Sequence, residues 1–315
     1  LDVAGLCRVD SAMTGVEERK EWQKALKGLH SVALNKWPRY SNLDRFAGLR
    51  WCMRRRIELR GFKIERIVEA GLGNIEVPRK DHFHALCERG YKDIAKLMVV
   101  SKSIGLNSKG REGRTPTLHA AYYGYIEVVH ALIQGGADLN QAMDGGYTPL
   151  FTACEHGHLE VVHALIQAGA ALNQAMDDGA TPLYMACQEG HVEVVHALIQ
   201  AGAALNQATN NGATPLHIAC WKGHLGVVHA LIQAGADLNQ APNNGATPHY
   251  MACQEGHLEV VHALIQAGAD LKRADHEGYT PLYIACAKGH LEVVHALIQA
   301  GAALSQATKK KENTP

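Results

Sequence analysis

The sequence predicts an all-α solenoid, a row of short helical hairpins that stack on one another. One observation is a stretch of 14 residues, GHLEVVHALIQAGA, that stands unchanged at 157–170, 256–269 and 289–302. Another is a Thr-Pro pair that returns every 33 residues, at Thr115, Thr148, Thr181, Thr214, Thr247 and Thr280. A fixed period of roughly 20 to 50 residues is typical of proteins built from stacked repeats.

The first helix of a repeat is clearest in residues 176–208. Thr181 has the hydroxyl that caps a helix N-terminus, and Pro182 suits the first turn, where its missing N–H has no bond to lose. The helix is expected to run for about two turns and to stop at Gly190.

A second helix is predicted from Val192 to about Ala201. Its valine, leucine and isoleucine residues stand four apart and form one apolar stripe. Gly202 is expected to supply the left-handed residue that ends this helix. The polar stretch from there to Gly212 carries an Asn-Asn-Gly turn signal and is expected to project as a hairpin-like finger.

Helices this short need neighbours, because an isolated helix is marginal in water below roughly 12 to 15 residues. The apolar residues of each second helix are therefore expected to pack on the next repeat. Identical interfaces need identical residues, so packing explains why the chain copies the stretch.

The net charge of zero hides an uneven distribution. Residues 110–307 contain six basic residues (Lys and Arg) but 17 acidic ones (Asp and Glu). The other segments have more basic than acidic residues: 15 against 10 in residues 1–77, seven against three in residues 78–109, and three against one in the tail. The repeats are thus acidic, which disfavours nucleic acid as a partner and favours a protein with a basic patch.

Cysteine usage indicates a reducing compartment, the cytoplasm or the nucleus. Five of the eight cysteines recur at one place in successive repeats, about 8 to 10 Å apart if the helices stack, which is too far for disulfides. They are interpreted as small buried thiols: Cys154, Cys187, Cys220, Cys253 and Cys286. No apolar run approaches the roughly 18 to 20 residues of a membrane helix, so no membrane partner is expected.

The repeated pattern G-x-T-P-L-x-x-A-C-x-x-G-H-x-E-V-V-x-x-L-I-x-x-G-A-x-x-N resembles the ankyrin repeat family. The resemblance implies helix-turn-helix units with fingers at right angles, and a concave face of fingers and first helices that binds other proteins without catalysis. It covers six full units, called repeats one to six below: 110–142, 143–175, 176–208, 209–241, 242–274 and 275–307.

The flanking segments match less well. Residues 78–109 resemble a degenerate repeat. A weaker similarity to the repeat begins near residue 46, and it would make 46–77 a capping unit. Residues 1–77 are interpreted as a helical N-terminal cap, with a basic docking surface or the end of a larger upstream domain as alternatives. Residues 308–315 are either the start of a truncated further repeat or a tail.

Some family features are missing. The family's Thr-Pro-Leu-His stands intact only at 214–217, so the Thr to His hydrogen bond that the resemblance implies would be absent from most units. The family's usual aspartate at the start of the finger is present only at Asp275, which leaves the geometry of the other fingers open. At the equivalent positions the other repeats have Met143, Met176, Thr209 and Pro242.

Positions that vary between the repeats are the candidate binding site. They cluster at the finger tips, behind each turn glycine and at the ends of the first helices. Trp221 is the leading anchor, because Trp, Tyr and Arg dominate binding hot spots; the alternative is drift between duplicated units. The predicted partner-binding residues are Arg114, Tyr122, Tyr123, Tyr147, Glu155, His156, Gln188, Glu189, Trp221, Lys222, Gln254, Glu255, Tyr279 and Lys288.

No catalytic site, metal site, cofactor or small-molecule substrate is expected. His158 and His163 stand five apart rather than the four of helical zinc motifs, and the ladder of second-helix histidines steps too far for two rings to share an ion. His158 and its copies are expected to make hydrogen bonds that bridge turns. The cluster His82, His84 and Cys87 is interpreted as structural.

The favoured function is a monomeric, non-enzymatic scaffold that presents an acidic surface with aromatic anchors to a basic segment of another protein. One alternative is a targeting arm of a larger multidomain enzyme or of a bacterial effector directed at a host. A bare structural spacer is the third.

Overall fold

The computed structural model describes residues 83, 87, 88, 92–100 and 104–302. The predictions for 1–77, for His82 and His84 and for 308–315 lie outside these residues. The chain divides into two compact units, 1–105 and 106–315. In the first unit, helix α1 spans Lys92–Val100 and buries Ala95, Met98 and Val99.

Twelve α-helices form six hairpins between residues 116 and 299, and the described residues contain no strand. Each repeat contributes a first helix of seven or eight residues and a second of nine or ten, which confirms the predicted all-α solenoid. The helices are α2 Pro116–Tyr122, α3 Ile126–Gly135, α4 Pro149–Glu155, α5 Leu159–Gln167, α6 Pro182–Glu189, α7 Val192–Gln200, α8 Pro215–Lys222, α9 Leu225–Gln233, α10 Pro248–Glu255, α11 Leu258–Gln266, α12 Pro281–Lys288 and α13 Leu291–Gln299.

Local residues set the bounds of these helices as the sequence predicts. The hydroxyl of the repeated threonine accepts the backbone N–H three residues later in every repeat, for example Tyr184 N–H to Thr181 Oγ1 at 3.1 Å. Because the donor of this bond is a backbone N–H, the threonine caps the helix whether or not the fourth residue of the Thr-Pro segment is a histidine. Gly190 and Gly202 end the two helices of repeat three with φ of 77° and 87°.

The hairpins stack in two rows. Each first helix packs against the first helix of the next repeat, and each second helix against the next second helix. In α7, Val194, Val195 and Leu198 are buried, whereas Ile199 is only half-buried. Three of the four copied apolar positions therefore lie fully in the core, as packing between identical repeats requires.

In repeats two to six, a histidine in the turn between the helices ties each repeat to the one before it. His224 Nε2 donates to the carbonyl oxygen of Gln188 at 3.0 Å, and the same bond recurs for His158, His191, His257 and His290. The ring lies against a turn glycine of the earlier repeat, where a Cβ on Gly190 would come within 2.8 Å of it. These are the turn-bridging bonds that the sequence predicts.

A second set of bonds joins the repeats where each finger begins. The Oδ1 atom of an asparagine accepts the backbone N–H of the residue 31 positions later, as in Ala171 N–H to Asn140 at 2.8 Å. The other acceptors are Asn107, Asn173, Asn206 and Asn239. At the next equivalent position the residue is Lys272.

The fingers of repeats three to six keep one shape although their first residue varies, with a positive φ at the turn glycine alone. Those of repeats one and two have a positive φ at two successive residues, Glu112-Gly113 and Gly145-Gly146. Asp275 accepts the N–H groups of Glu277 and Tyr279. Where that aspartate is missing, Asp178, Asn211 or Asn244, which stand two residues further along, accept the N–H group behind the turn. The finger tips are also linked to each other through backbone bonds, such as Asn210 N–H to Asp178 O at 2.8 Å.

The prediction of five buried thiols is wrong for Cys286. Cys154, Cys187, Cys220 and Cys253 are buried and free of disulfides, and burial raises the pKa of each thiol. Cys286 is exposed, because no described repeat packs on the far side of α12.

His249 is a buried histidine at a position where four other repeats have leucine. Its side chain is inaccessible to solvent, Nδ1 has no hydrogen-bond partner among the described residues, and Nε2 lies 3.7 Å from the sulfur of Cys253. Burial lowers the pKa of His249 to about 4, against a smaller opposing effect of the Asp270 carboxylate.

Replacing His249 by leucine should stabilise the chain and weaken its acid sensitivity. The unfolded imidazole takes up a proton below pH about 6.5, but the folded one does so only near pH 4, so the free energy of unfolding falls between these values. His249→Leu should raise the free energy of unfolding at pH 7 by about 1 to 3 kcal/mol, since a buried unsatisfied group is removed. Urea unfolding at pH 7 and pH 5 measures both effects.

The matched control for His249→Leu is His262→Gln, which changes an exposed histidine of the same repeat. The control should behave as the parent chain does. An equal loss of stability between pH 7 and pH 5 in the parent and in His249→Leu would contradict the assignment.

Candidate protein-binding surface

The varying positions lie on the fingers and at the ends of the first helices. We call this region the front surface: the finger tips, the residue behind each turn glycine, and the last residues of each first helix with the residue that follows them. Finger and helix touch directly, since the Tyr147 ring packs edge-on against Phe151 at 5.4 Å and Tyr279 stacks on Tyr283 at 4.7 Å between centroids.

Repeats one and two form an aromatic cluster on the front surface. The Tyr122 ring contacts His156 of the next repeat at 4.3 Å and Tyr123 at 4.9 Å between centroids. The guanidinium of Arg114 lies over Tyr122 at 5.5 Å and pairs with Glu112 at 2.9 Å. The structure therefore places four predicted site residues in one half-buried group, which is held in shape by its own contacts.

Repeats three and five present the same polar pair on either side of repeat four. Gln188 donates to the carboxylate of Glu189 at 3.0 Å, and Gln254 donates to that of Glu255 at 2.9 Å. Both glutamates are exposed and both glutamines are half-buried. The two carboxylates are thus fixed in place and remain open to solvent.

Trp221 lies between these two pairs along the row of first helices. Its side chain is 44% exposed, and the ammonium group of Lys222 lies 5.1 Å from the ring centroid. The carbonyl oxygen of Trp221 accepts the hydrogen bond from His257 in the next repeat. The backbone of Trp221 is therefore held in place while its indole faces solvent, so the ring offers a preformed apolar surface to a partner.

A family model described as ankyrin repeats (3 copies) matches the chain over residues 83–176, 170–242 and 238–308. This chain belongs to the ankyrin repeat family. No curated protein matches its sequence. Ankyrin repeats are in general modules for protein–protein interaction, and their fold is typically non-catalytic.

Not every varying position of this ankyrin repeat protein is available to a partner. Behind the turn glycines, Tyr147 and Tyr279 are half-buried, but Ala180, Ala213 and Ala246 are buried. Alanine is small enough to fit beneath the finger, whereas a tyrosine at this place extends outward onto the first helix. Two predicted residues remain: Glu155 is half-buried at the end of α4, and Lys288 is exposed at the end of α12.

Two tyrosines of the ankyrin array were missed by the sequence analysis. Tyr125 stands where the later repeats have the turn histidine, and its ring stacks on Tyr123 at 5.6 Å. Comparison of the repeats at that position could have found it. Tyr283 is exposed although its equivalents Phe151 and Tyr250 are buried, and no local signal in the sequence distinguishes it.

No three His, Cys, Asp or Glu side chains of the described ankyrin repeats lie close enough together to hold a metal ion. The histidines of the second helices are exposed and stand one per repeat. Within the same residues, every helix is too short or too polar to cross a membrane.

Proposed function

We propose that this ankyrin repeat protein binds another protein through the front surface, with Trp221 as the main anchor. The observation that carries the proposal is a contrast between two exposed surfaces of the same repeats. The front surface differs from repeat to repeat, whereas the exposed side of the second helices, which we call the back surface, does not.

The back surface repeats almost letter for letter although solvent covers it. A glutamate is exposed in five of the six repeats and is replaced by Gly226 in repeat four. A histidine and a glutamine are exposed in all six repeats. The histidines are His130, His163, His196, His229, His262 and His295, and the glutamines are Gln134, Gln167, Gln200, Gln233, Gln266 and Gln299.

Drift between duplicated repeats does not account for this contrast. Exposed substitutions away from special contacts usually change stability by less than about 0.5 kcal/mol, so drift would have altered both surfaces alike. A bare spacer has no reason to vary on one side only. Divergence on the front surface, on repeats whose back surface scarcely varies, supports recognition of a partner there.

The charge of the front surface favours a basic segment as the partner. Among the side chains that the structure describes, the surface carries eight carboxylates against three basic groups, Arg114, Lys222 and Lys288. The carboxylates are Glu112, Asp144, Glu155, Asp177, Asp178, Glu189, Glu255 and Glu277. Exposed charges of this kind act chiefly on association rate and specificity, so the apolar contact with Trp221 supplies most of the affinity.

The protein acts as a rigid, monomeric scaffold in this proposal. The stacked repeats fix the spacing of the front-surface residues before the partner arrives, so little conformational entropy is lost on binding. Free buried thiols fit the cytoplasm or the nucleus as its compartment. Binding and presentation, rather than catalysis, make up the whole activity.

Trp221→Ala should weaken partner binding at least tenfold, or about 1.4 kcal/mol, because it removes the anchor. The melting temperature should not change, since the indole faces solvent. The partner is first captured on the immobilised full chain and identified, and its dissociation constant is then measured by calorimetry. His229→Ala, on the back surface of the same repeat, should leave binding unchanged, and equal affinities for all three chains would remove Trp221 from the site.

Reversing charge on the front surface should weaken binding and flatten its salt dependence. The test is the double variant Glu189→Lys and Glu255→Lys. The control reverses the exposed glutamates of the same two repeats on the back surface, Glu193→Lys and Glu259→Lys. Association rates are compared at about 50 and 200 mM salt, a range in which screening changes strongly. Equal losses in the two double variants would show that net charge, and not the front surface, attracts the partner.

A further inference from the structure

Two finger tips carry an asparagine that is followed directly by a glycine: Asn211-Gly212 in repeat four and Asn244-Gly245 in repeat five. Both asparagines are exposed. Such a pair is prone to deamidation, because glycine has no Cβ to obstruct attack of its backbone nitrogen on the asparagine side chain. Both tips continue as Asn-Asn-Gly-Ala-Thr-Pro, so a difference in their reactivity has to come from the structure around them.

Deamidation requires either finger to open. The glycine N–H closes each turn, with Gly212 donating to Thr209 O and Gly245 to Pro242 O, both at 2.8 Å. Neither central residue has a positive φ, as in a type I turn, whose second central residue has ψ of about 0°. The ring that forms in deamidation needs the glycine nitrogen and the asparagine Cβ on the same side of the Cα–C bond. The asparagine must therefore rotate about that bond, and bonds that keep the finger closed slow the reaction.

The finger of repeat five is held by fewer bonds than that of repeat four. Thr209 N–H donates to Ala213 O at 3.0 Å, and the Thr209 hydroxyl donates to the same oxygen at 3.2 Å. The equivalent residue of repeat five is Pro242, which has neither an N–H nor a hydroxyl. The proline ring fixes its own φ, but it does not restrain the Cα–C bond of Asn244. Asn244 therefore reaches the reactive geometry more easily than Asn211.

The imidazole of His276 lies against Gly245. A Cβ on that glycine would come within 2.6 Å of Cδ2 and 3.1 Å of Nε2 of His276, and the backbone N–H of His276 donates to Asn244 O at 2.9 Å. At the site of repeat four the residue in this place is Asn243, whose side-chain amide has no basic nitrogen. Only the site of repeat five therefore has a group beside the glycine that can accept and return a proton.

We propose that Asn244 is a site of spontaneous deamidation in the folded chain, with His276 as its general acid–base group. The Gly245 nitrogen forms a bond to Cγ of Asn244 and gives its proton to His276, which passes a proton to the side-chain nitrogen. The Cγ–Nδ2 bond then breaks, and ammonia leaves a cyclic imide behind.

Water opens this imide in one of two ways. When it adds to Cγ, the bond from Cγ to the Gly245 nitrogen breaks, the nitrogen recovers a proton from the water, and aspartate results. When it adds to the backbone carbon of residue 244, the bond from that carbon to the nitrogen breaks and isoaspartate results.

The finger accepts an aspartate at this position. The equivalent residue of repeat three is Asp178, whose Oδ1 accepts the N–H of Ala180 at 2.9 Å, as Asn244 accepts that of Ala246 at 3.1 Å. Deamidation to aspartate thus keeps the turn and adds a carboxylate to the front surface. A basic partner then associates faster, a consequence that rests on the proposed function, whereas the modification itself does not.

Deamidation is followed in the pure full-length chain at neutral pH, folded or unfolded in guanidinium chloride, with no partner present. Trypsin separates the two sites, because Lys222 lies between them, and fragmentation in the mass spectrometer locates the change. In the folded chain Asn244 should be deamidated at least about tenfold faster than Asn211, which is modest for a positioned acid–base group. In the unfolded chain the two rates should be equal, since the tip sequences are equal.

His276→Asn gives the site of repeat five the neighbour that the site of repeat four has, and it should slow deamidation of Asn244 by about tenfold. The control is His262→Gln, an exposed histidine on the back surface of repeat five, which should leave the rate unchanged. Circular dichroism checks that both variants are folded.

Three results would each overturn the proposal: equal rates at Asn244 and Asn211 in the folded chain, a difference that persists in the unfolded chain, or an unchanged rate in His276→Asn. Because no partner enters the measurement, a failure of this proposal and a failure of binding at Trp221 are observed separately.

Discussion

The packing of each helical hairpin on the next is the interaction on which the rest of this structure depends. Helices of seven to ten residues do not hold their shape alone, so the buried valines and leucines of one repeat stabilise the helices of its neighbour. The turn histidines and finger asparagines add a fixed register. Because His224 must reach Gln188 and lie against Gly190 at once, a repeat cannot slide or rotate on the one before it.

This constraint separates the residues that must be copied from those that are free to differ. A side chain between repeats meets the same neighbours in every repeat, so one good solution is reused throughout. The exposed side chains of the front surface, such as those of Glu189 and Glu255, face solvent, and each repeat can carry a different residue at such a position at little cost to the stack. The Gln-Glu pairs of repeats three and five, with Trp-Lys between them, show how a varied surface is assembled from nearly identical units.

Local signals allowed the sequence to predict most of the fold. The Thr-Pro pairs and the glycines determine where helices begin and end, and their period defines the stack. The sequence could not predict features that depend on the next repeat along. Cys286 and Cys253 stand at equivalent positions in similar local sequences, and the presence or absence of a covering hairpin decides which thiol is buried. The contact between Tyr122 and His156 likewise joins residues of two repeats, and Ala180 is buried because the finger folds over it.

The account is tested most directly by removing one inner repeat, residues 176–208, and following unfolding in urea. If stability is close to a sum over neighbouring repeats, repeat two will pack on repeat four, where His224 can take the place of His191 against Gly157. The shortened chain should then keep its helical structure per residue and unfold in one transition at a lower urea concentration. A shortened chain that is disordered before urea is added, or one that unfolds at the same urea concentration as the parent, would contradict it.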